Sequence, residues 1–220
     1  MTRGATSRLA AVTIPGPVGA LEGLLQEREG AHPAFVALVC HPHPRYGGTM
    51  HNKVAHRVAA TLHGLGAAVL RFNFRGVGTS AGAYDRGEGE LEDARAALTF
   101  LTSRHPEARR WAAGFSFGAW VAARLAASEP GVERMILVAP PVGTSSFEAL
   151  RGSPVPKHVF QGTADTVCPV ALLEREITTW AEPRELIRVP GATHFFDRQL
   201  GALADALSQA LSGLVPEAAS

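Results

Sequence analysis

Three residues of this chain could together break an acyl bond: Ser116, Asp165 and His194. A serine hydroxyl is a weak nucleophile until an imidazole takes its proton. That imidazole works best when a carboxylate fixes its tautomer and orientation. Ser116 lies in Gly114-Phe115-Ser116-Phe117-Gly118, after an apolar strand-like run and before an alanine-rich helical one. In this strand–turn–helix context, Gly-x-Ser-x-Gly lifts a hydroxyl clear of the backbone, since neither glycine has a side chain to obstruct the turn. The first amides of the helix would then favour a developing negative charge. A second match, GTSAG at 78–82, runs into the glycine-rich AYDRGEGE rather than a helix. Ser80 is therefore read as a loop residue.

The order expected on alternating strands and helices is serine, acid, histidine. Past Ser116 the aspartates are Asp165, Asp197 and Asp205, and the histidines are His158 and His194. Asp165 follows a strand-like run directly, whereas Asp197 and Asp205 fall in the last helical pattern. His194 lies between the last strand and the last helix, whereas His158 sits inside a strand pattern. Acyl transfer also needs two N–H groups aimed at the tetrahedral oxygen. One is expected from Phe117, the other from the loop CHPHPRYGGTMHNK at 40–53. Pro42 and Pro44 have no N–H; His43, between them in a stiffened segment, is the expected donor, while Gly47 and Gly48 permit a close turn. His41 and His43 also spell H-x-H, and with His51 they form a conceivable metal set. No H-E-x-x-H or cysteine cluster accompanies them, so the site is read as metal-free and cofactor-free. His41 is expected to pack and hydrogen-bond beneath it.

These residues need a scaffold. Runs at 35–40, 67–74, 109–115, 132–139, 155–161 and 184–189 read as strands, several continuously apolar as for strands covered on both faces. Helical patterns lie between them at 50–64, 88–104, 117–128, 169–181 and 195–213. Segments 8–14 and 19–26 read as an antiparallel pair. The fold class is therefore α/β, a mostly parallel central sheet with helices on both faces. Ligands in such sheets sit at the carboxyl ends of the strands, where the three candidates fall.

Length and composition narrow the classes. The 220 residues suit a single domain, with a core over about 18–213. A net charge of +1 argues against a nucleic-acid partner, and 7% aromatic residues against a base-stacking surface. Two cysteines, Cys40 and Cys168, do not make a secreted disulfide framework. No apolar run has the length of a membrane span or signal-peptide core. A cytoplasmic protein, monomer or homodimer, is the expectation.

The motifs HPHPRYGGTMHNKV (41–54), RFNFRGVGTSAGAYDRGEGE (71–90), GFSFGAW (114–120), GTAD (162–165) and GATHFF (191–196) resemble the α/β-hydrolase superfamily. The chain looks closest to small, lidless, dienelactone-hydrolase-like bacterial serine hydrolases. The resemblance implies Ser116 as nucleophile, Asp165 as acid, His194 as base, and the N–H groups of Phe117 and His43 as the oxyanion hole. Dienelactone hydrolase itself carries cysteine where this chain has Ser116. In the 71–90 segment, Arg75, Gly76 and Gly78 are read as shaping a turn, with Asp85 and Glu90 tying it down or capping a helix. Residues 140–154 hold at most a short helix, so the expected lid is minimal or absent. Tyr46, Met50, Pro141, Val142, Val167, Phe195 and Phe196 are expected to line an open apolar pocket. It suits a small or medium neutral ester, or a thioester, cleaved through an acyl-enzyme. Acyl transfer or peptide cleavage on the same triad, and a non-catalytic binding role, are the alternatives.

Overall fold

The computed structural model describes residues 6–215. Eight strands form one sheet: β1 (Ser7–Gly16), β2 (Gly19–Arg28), β3 (Phe35–Cys40), β4 (Ala68–Phe72), β5 (Arg109–Phe115), β6 (Val132–Val138), β7 (Lys157–Gly162) and β8 (Arg184–Val189). Five α-helices interleave with them: α1 (Lys53–Gly64), α2 (Glu88–Arg104), α3 (Phe117–Ser128), α4 (Val170–Glu176) and α5 (Leu200–Leu211). The strand order is β1-β2-β4-β3-β5-β6-β7-β8. β1 and β2 pair antiparallel, as do β2 and β4, and every pairing from β4 through β8 is parallel.

Alternation along a strand divides the core into two layers. Val36, Leu38 and Cys40 of β3 face one side, where they join Leu91, Leu98 and Leu101 of α2 and Val121 and Leu125 of α3. Phe35, Ala37 and Val39 face the other, against Val54, Val58 and Leu62 of α1 and Leu203, Leu207 and Leu211 of α5. Every residue of β3 is buried, which is why its sequence reads as an unbroken apolar run.

Some boundaries differ from the sequence reading. The core does not begin near residue 18, because β1 pairs with β2 from Ser7 onward and buries Ile14. The strand expected over 67–74 stops at Phe72. Asn73 N–H still reaches the Glu22 carbonyl of β2, but Phe74 N–H turns to the His41 ring, and the ladder ends there. The first helix starts at Lys53, where Asn52 Oδ1 accepts the Val54 and Ala55 N–H groups. The last starts at Leu200, because Phe196 and Arg198 have left-handed φ of 51° and 60°. Between β6 and β7 there is one short 3-10 turn, Glu148–Arg151, and no lid. The tail beyond 215 lies outside the described residues.

Candidate active site

Ser116 occupies the turn from β5 into α3 with φ 54° and ψ −120°, a conformation L-residues rarely adopt. Its N–H donates to the Val138 carbonyl at 2.9 Å, which ties the turn to β6. The glycines two residues to each side are sterically required. A Cβ on Gly114 would overlap the Gly118 carbonyl, and one on Gly118 would overlap the Cys40 and His41 carbonyls. The turn thus packs backbone against backbone on the end of β3.

His194 Nε2 lies 3.1 Å from Ser116 Oγ, and its Nδ1 lies 2.8 Å from Asp165 Oδ2. With the proton on Nδ1 facing the carboxylate, the Nε2 lone pair faces the hydroxyl. His194 and Asp165 are each only 5% exposed, so little water competes for these bonds. Asp165 follows β7 and turns on itself: Oδ1 accepts the N–H groups of Val167 and Cys168, both at 2.8 Å. Its other oxygen accepts Gln161 Nε2 at 2.9 Å in addition to His194. Four donors therefore hold the carboxylate. The arrangement can take a proton from Ser116 and hold the resulting imidazolium.

The loop after β3 reaches over the same point. His41 is buried; its Nδ1–H donates to the Pro42 carbonyl at 2.6 Å and its Nε2 accepts Phe74 N–H at 3.1 Å. Burial pulls its pKa down to about 4, with the Pro42 bond opposing. His41 thus has the packing role expected of it. His43 leads a 3-10 turn whose C-cap, Gly47, is left-handed. Its ring contacts Phe117 at 4.8 Å and Tyr84 at 5.0 Å between centroids, and its Nε2 lies 3.2 Å from Tyr84 Oη. Neither His43 N–H nor Phe117 N–H is taken by a backbone carbonyl among the described residues.

A cavity of about 220 Å³ opens beside Ser116, lined by His43, Tyr46, Phe117, Pro141, Val167 and Cys168, with Gly143 to Ser145 closing one side. The structure does not bring Met50, Val142, Phe195 or Phe196 to its lining. Met50 is buried toward β2 because its N–H and carbonyl are tied to Asn73 and Arg71. Val142 packs on the α2–α3 core layer. The left-handed turn at Phe196 buries that ring in the α1–α5 layer. Phe195 is half exposed and stands edge-on to the His194 ring at 5.1 Å.

Cys168 lines the cavity, yet its thiol is pushed up to about 12, first by burial and then by the Asp165 charge, so it does not compete as a nucleophile. Ser80 is buried, accepting Glu22 N–H and donating to the Asn73 carbonyl, as a loop-shaping residue would. His158 lies against Arg134 and Glu185, away from Ser116. His41, His43 and His51 are not gathered as a ligand set; Asp165, Cys168 and His194 are the group the described residues bring within 4.8 Å of one another.

Sequence reasoning missed Gln161 and Tyr84. The signal for Gln161 was a polar side chain at the carboxyl end of β7, four residues before Asp165. It also missed the partner of Arg75, which is Asp93 of α2: Arg75 Nη2 and Nε reach the carboxylate at 2.8–3.1 Å, and the pair is buried. Glu90 caps α2 as expected, accepting Gly87 N–H at 2.6 Å.

Comparison with known proteins agrees with this architecture. An uncharacterized protein of Rickettsia prowazekii is 37% identical over 190 residues, covering 82% of this chain and 79% of its own length. An α/β serine hydrolase without lid from Xanthomonas campestris is 39% identical with a TM-score of 0.89, covering 96% of both chains. An α/β serine hydrolase homologue from Coxiella burnetii is 39% identical with a TM-score of 0.88, covering 92% of this chain and 97% of its own. A dienelactone hydrolase from Anabaena variabilis, at 20% identity and a TM-score of 0.79 over 94% of this chain and 98% of its own, shares the fold. Residues 33–179 match the family model described as serine aminopeptidase, S33, and the chain belongs to that family of α/β serine hydrolases, in a form without a lid.

Proposed function

We propose that the chain is a serine esterase working through an acyl-enzyme on small or medium neutral esters or thioesters. Ser116 attacks the carbonyl carbon as His194 Nε2 takes its proton, and Asp165 holds the imidazolium. The N–H groups of Phe117 and His43 receive the oxyanion. His194 returns the proton to the departing alcohol, then activates a water that releases the acid. The observation that carries this reading is the pair of distances at His194, 3.1 Å to Ser116 and 2.8 Å to Asp165, on a serine held at φ 54°. Cys40 and Cys168 are buried free thiols, which suits a cytoplasmic protein.

The family description favours weighing peptide cleavage as a second reading. An aminopeptidase must hold a substrate ammonium next to the nucleophile, and that takes a carboxylate or a set of carbonyls. No Asp or Glu side chain lines the cavity beside Ser116 among the described residues. The ester reading therefore fits the lining better. Hydrolysis of p-nitrophenyl acetate and butyrate, compared with aminoacyl p-nitroanilides, tests the choice. Ser116→Ala should lower ester turnover by at least ~10³-fold and abolish fluorophosphonate labelling. Labelling that persists in that variant overturns the assignment.

A further inference from the structure

The loop after β4 has no role in the chemistry above, yet it forms the outer wall of the site. A second cavity, about 390 Å³, adjoins the one beside Ser116. The two share His43, Tyr46, Phe117, Thr144 and Ser145, and the second adds Tyr84, Arg86, Trp120 and Ser146. Its walls are aromatic: Tyr46 is 86% exposed, and Phe117 lies 5.6 Å from Trp120 between ring centroids. A planar ring has faces to stack on here.

Arg86 stands on the rim of this cavity under unusual constraint. Its φ is 52°, a left-handed conformation in a non-glycine residue. The residues on both sides are held by one fully buried carboxylate: Glu90 accepts Asp85 N–H at 2.9 Å and Gly87 N–H at 2.6 Å. Gly87 packs so closely on Trp120 that a Cβ there would enter the indole ring. Arg124 ties the same turn from below, bonding the Gly87 carbonyl and Glu88. The neighbouring acids are each engaged elsewhere, Asp85 facing Arg75, Glu88 facing Arg124 and Glu90 capping α2. Arg86 itself has no carboxylate partner among the described residues. The fold thus holds an uncompensated guanidinium at the edge of an aromatic groove that opens onto Ser116.

We propose that this groove is a subsite for an aryl group bearing an anionic substituent, and that Arg86 selects for the charge. The proposal rests on the esterase reading and names its substrate class. The aryl carboxylate belongs either to the acyl part or to the alcohol part of the ester. Two substrate pairs separate these: monomethyl terephthalate against methyl benzoate, and 4-carboxyphenyl acetate against phenyl acetate.

For each pair the readout is the ratio of kcat/KM, anionic over neutral, in wild type, Arg86→Gln and Arg86→Lys. Comparing ratios between variants cancels the intrinsic reactivity of each ester. Because Arg86 is exposed, the expected change is modest. The ratio should fall about fivefold in Arg86→Gln for at least one pair, stay within about twofold in Arg86→Lys, and weaken with added salt. A ratio unchanged in Arg86→Gln for both pairs overturns the proposal. An equal fall in Arg86→Gln and Arg86→Lys also overturns it, since shape rather than charge would then be read. Ser116→Ala on the neutral esters is run alongside. If that variant stays active, the esterase reading has failed; if it is inactive and the ratios do not move, only the subsite has failed.

Discussion

His41 makes the stability of this fold depend on pH, and the size of the effect follows from its surroundings. The neutral ring is required twice: Nδ1–H donates to the Pro42 carbonyl, and Nε2 accepts Phe74 N–H. A second proton on Nε2 would point at that N–H. Burial lowers the folded pKa from 6.5 to about 4. Above pH 6.5 the ring is neutral in both folded and unfolded chains and nothing is lost. As pH falls below 6.5 the unfolded chain takes up the proton and the folded chain does not, so stability declines until about pH 4. At about 1.4 kcal/mol per unit, the loss between pH 7 and pH 4.5 is about 2 kcal/mol. Urea unfolding at the two pH values, in wild type and in His41→Gln, isolates it. Other titrating groups act in both proteins, so wild type should lose about 2 kcal/mol more than the variant. At pH 7 the variant should be less stable by about 1–3 kcal/mol through imperfect replacement of two buried bonds. Equal losses in the two proteins would refute the assignment of a neutral, buried His41.

Asp93→Asn should destabilise the fold by about 3–5 kcal/mol, because it leaves the buried Arg75 guanidinium with only the exposed Asp85, 3.9 Å away, as a carboxylate partner; the double change Arg75→Met with Asp93→Leu should recover most of that in the same urea assay. Gln161→Met should lower kcat about tenfold with little change in KM, since it frees the Asp165 oxygen that also holds His194. An unchanged kcat would show that the three other donors suffice.

The parts of the site that were legible in the sequence are those fixed by local geometry. Gly114 and Gly118 announce the turn because any other residue would collide across it, and the collision involves backbone alone. Asp165 and His194 could be picked out because a parallel sheet brings the residues after its strands to one edge. Side-chain direction within a loop is a different matter. Met50 and Tyr46 stand four residues apart in the same loop, yet bonds to Asn73 and Arg71 from β4 and its exit turn Met50 away from the site. Phe195 and Phe196 are adjacent, and a left-handed φ at Phe196 sends one ring to the surface and the other into the core. These choices are made by tertiary bonds that no spacing rule contains. The same holds for Asp93, whose position on α2 reads as an ordinary helical acid until the loop carrying Arg75 closes on it.

Division of labour in the site follows from the missing lid. Ser116 and Asp165 hang directly from β5 and β7, and hydrogen bonds to Val138 and Gln161 tie them to strand residues of β6 and β7. Such positions move little, so changes there should act on kcat. The cavity walls come instead from three loops that follow β3, β4 and β6, from Val167 and Cys168 after β7, and from Phe117 and Trp120 of α3. Among the described residues no cap domain stands above them, so these walls discriminate between substrates, and changes there should act on KM. His43 belongs to both groups. Its backbone is the proposed second oxyanion donor, while its ring is wedged among Tyr46, Tyr84 and Phe117. A ligand that shifts those rings should therefore also shift the proposed oxyanion donor. On the proposed mechanism, that contact gives substrate recognition in the proposed subsite a direct route to the rate of acyl transfer.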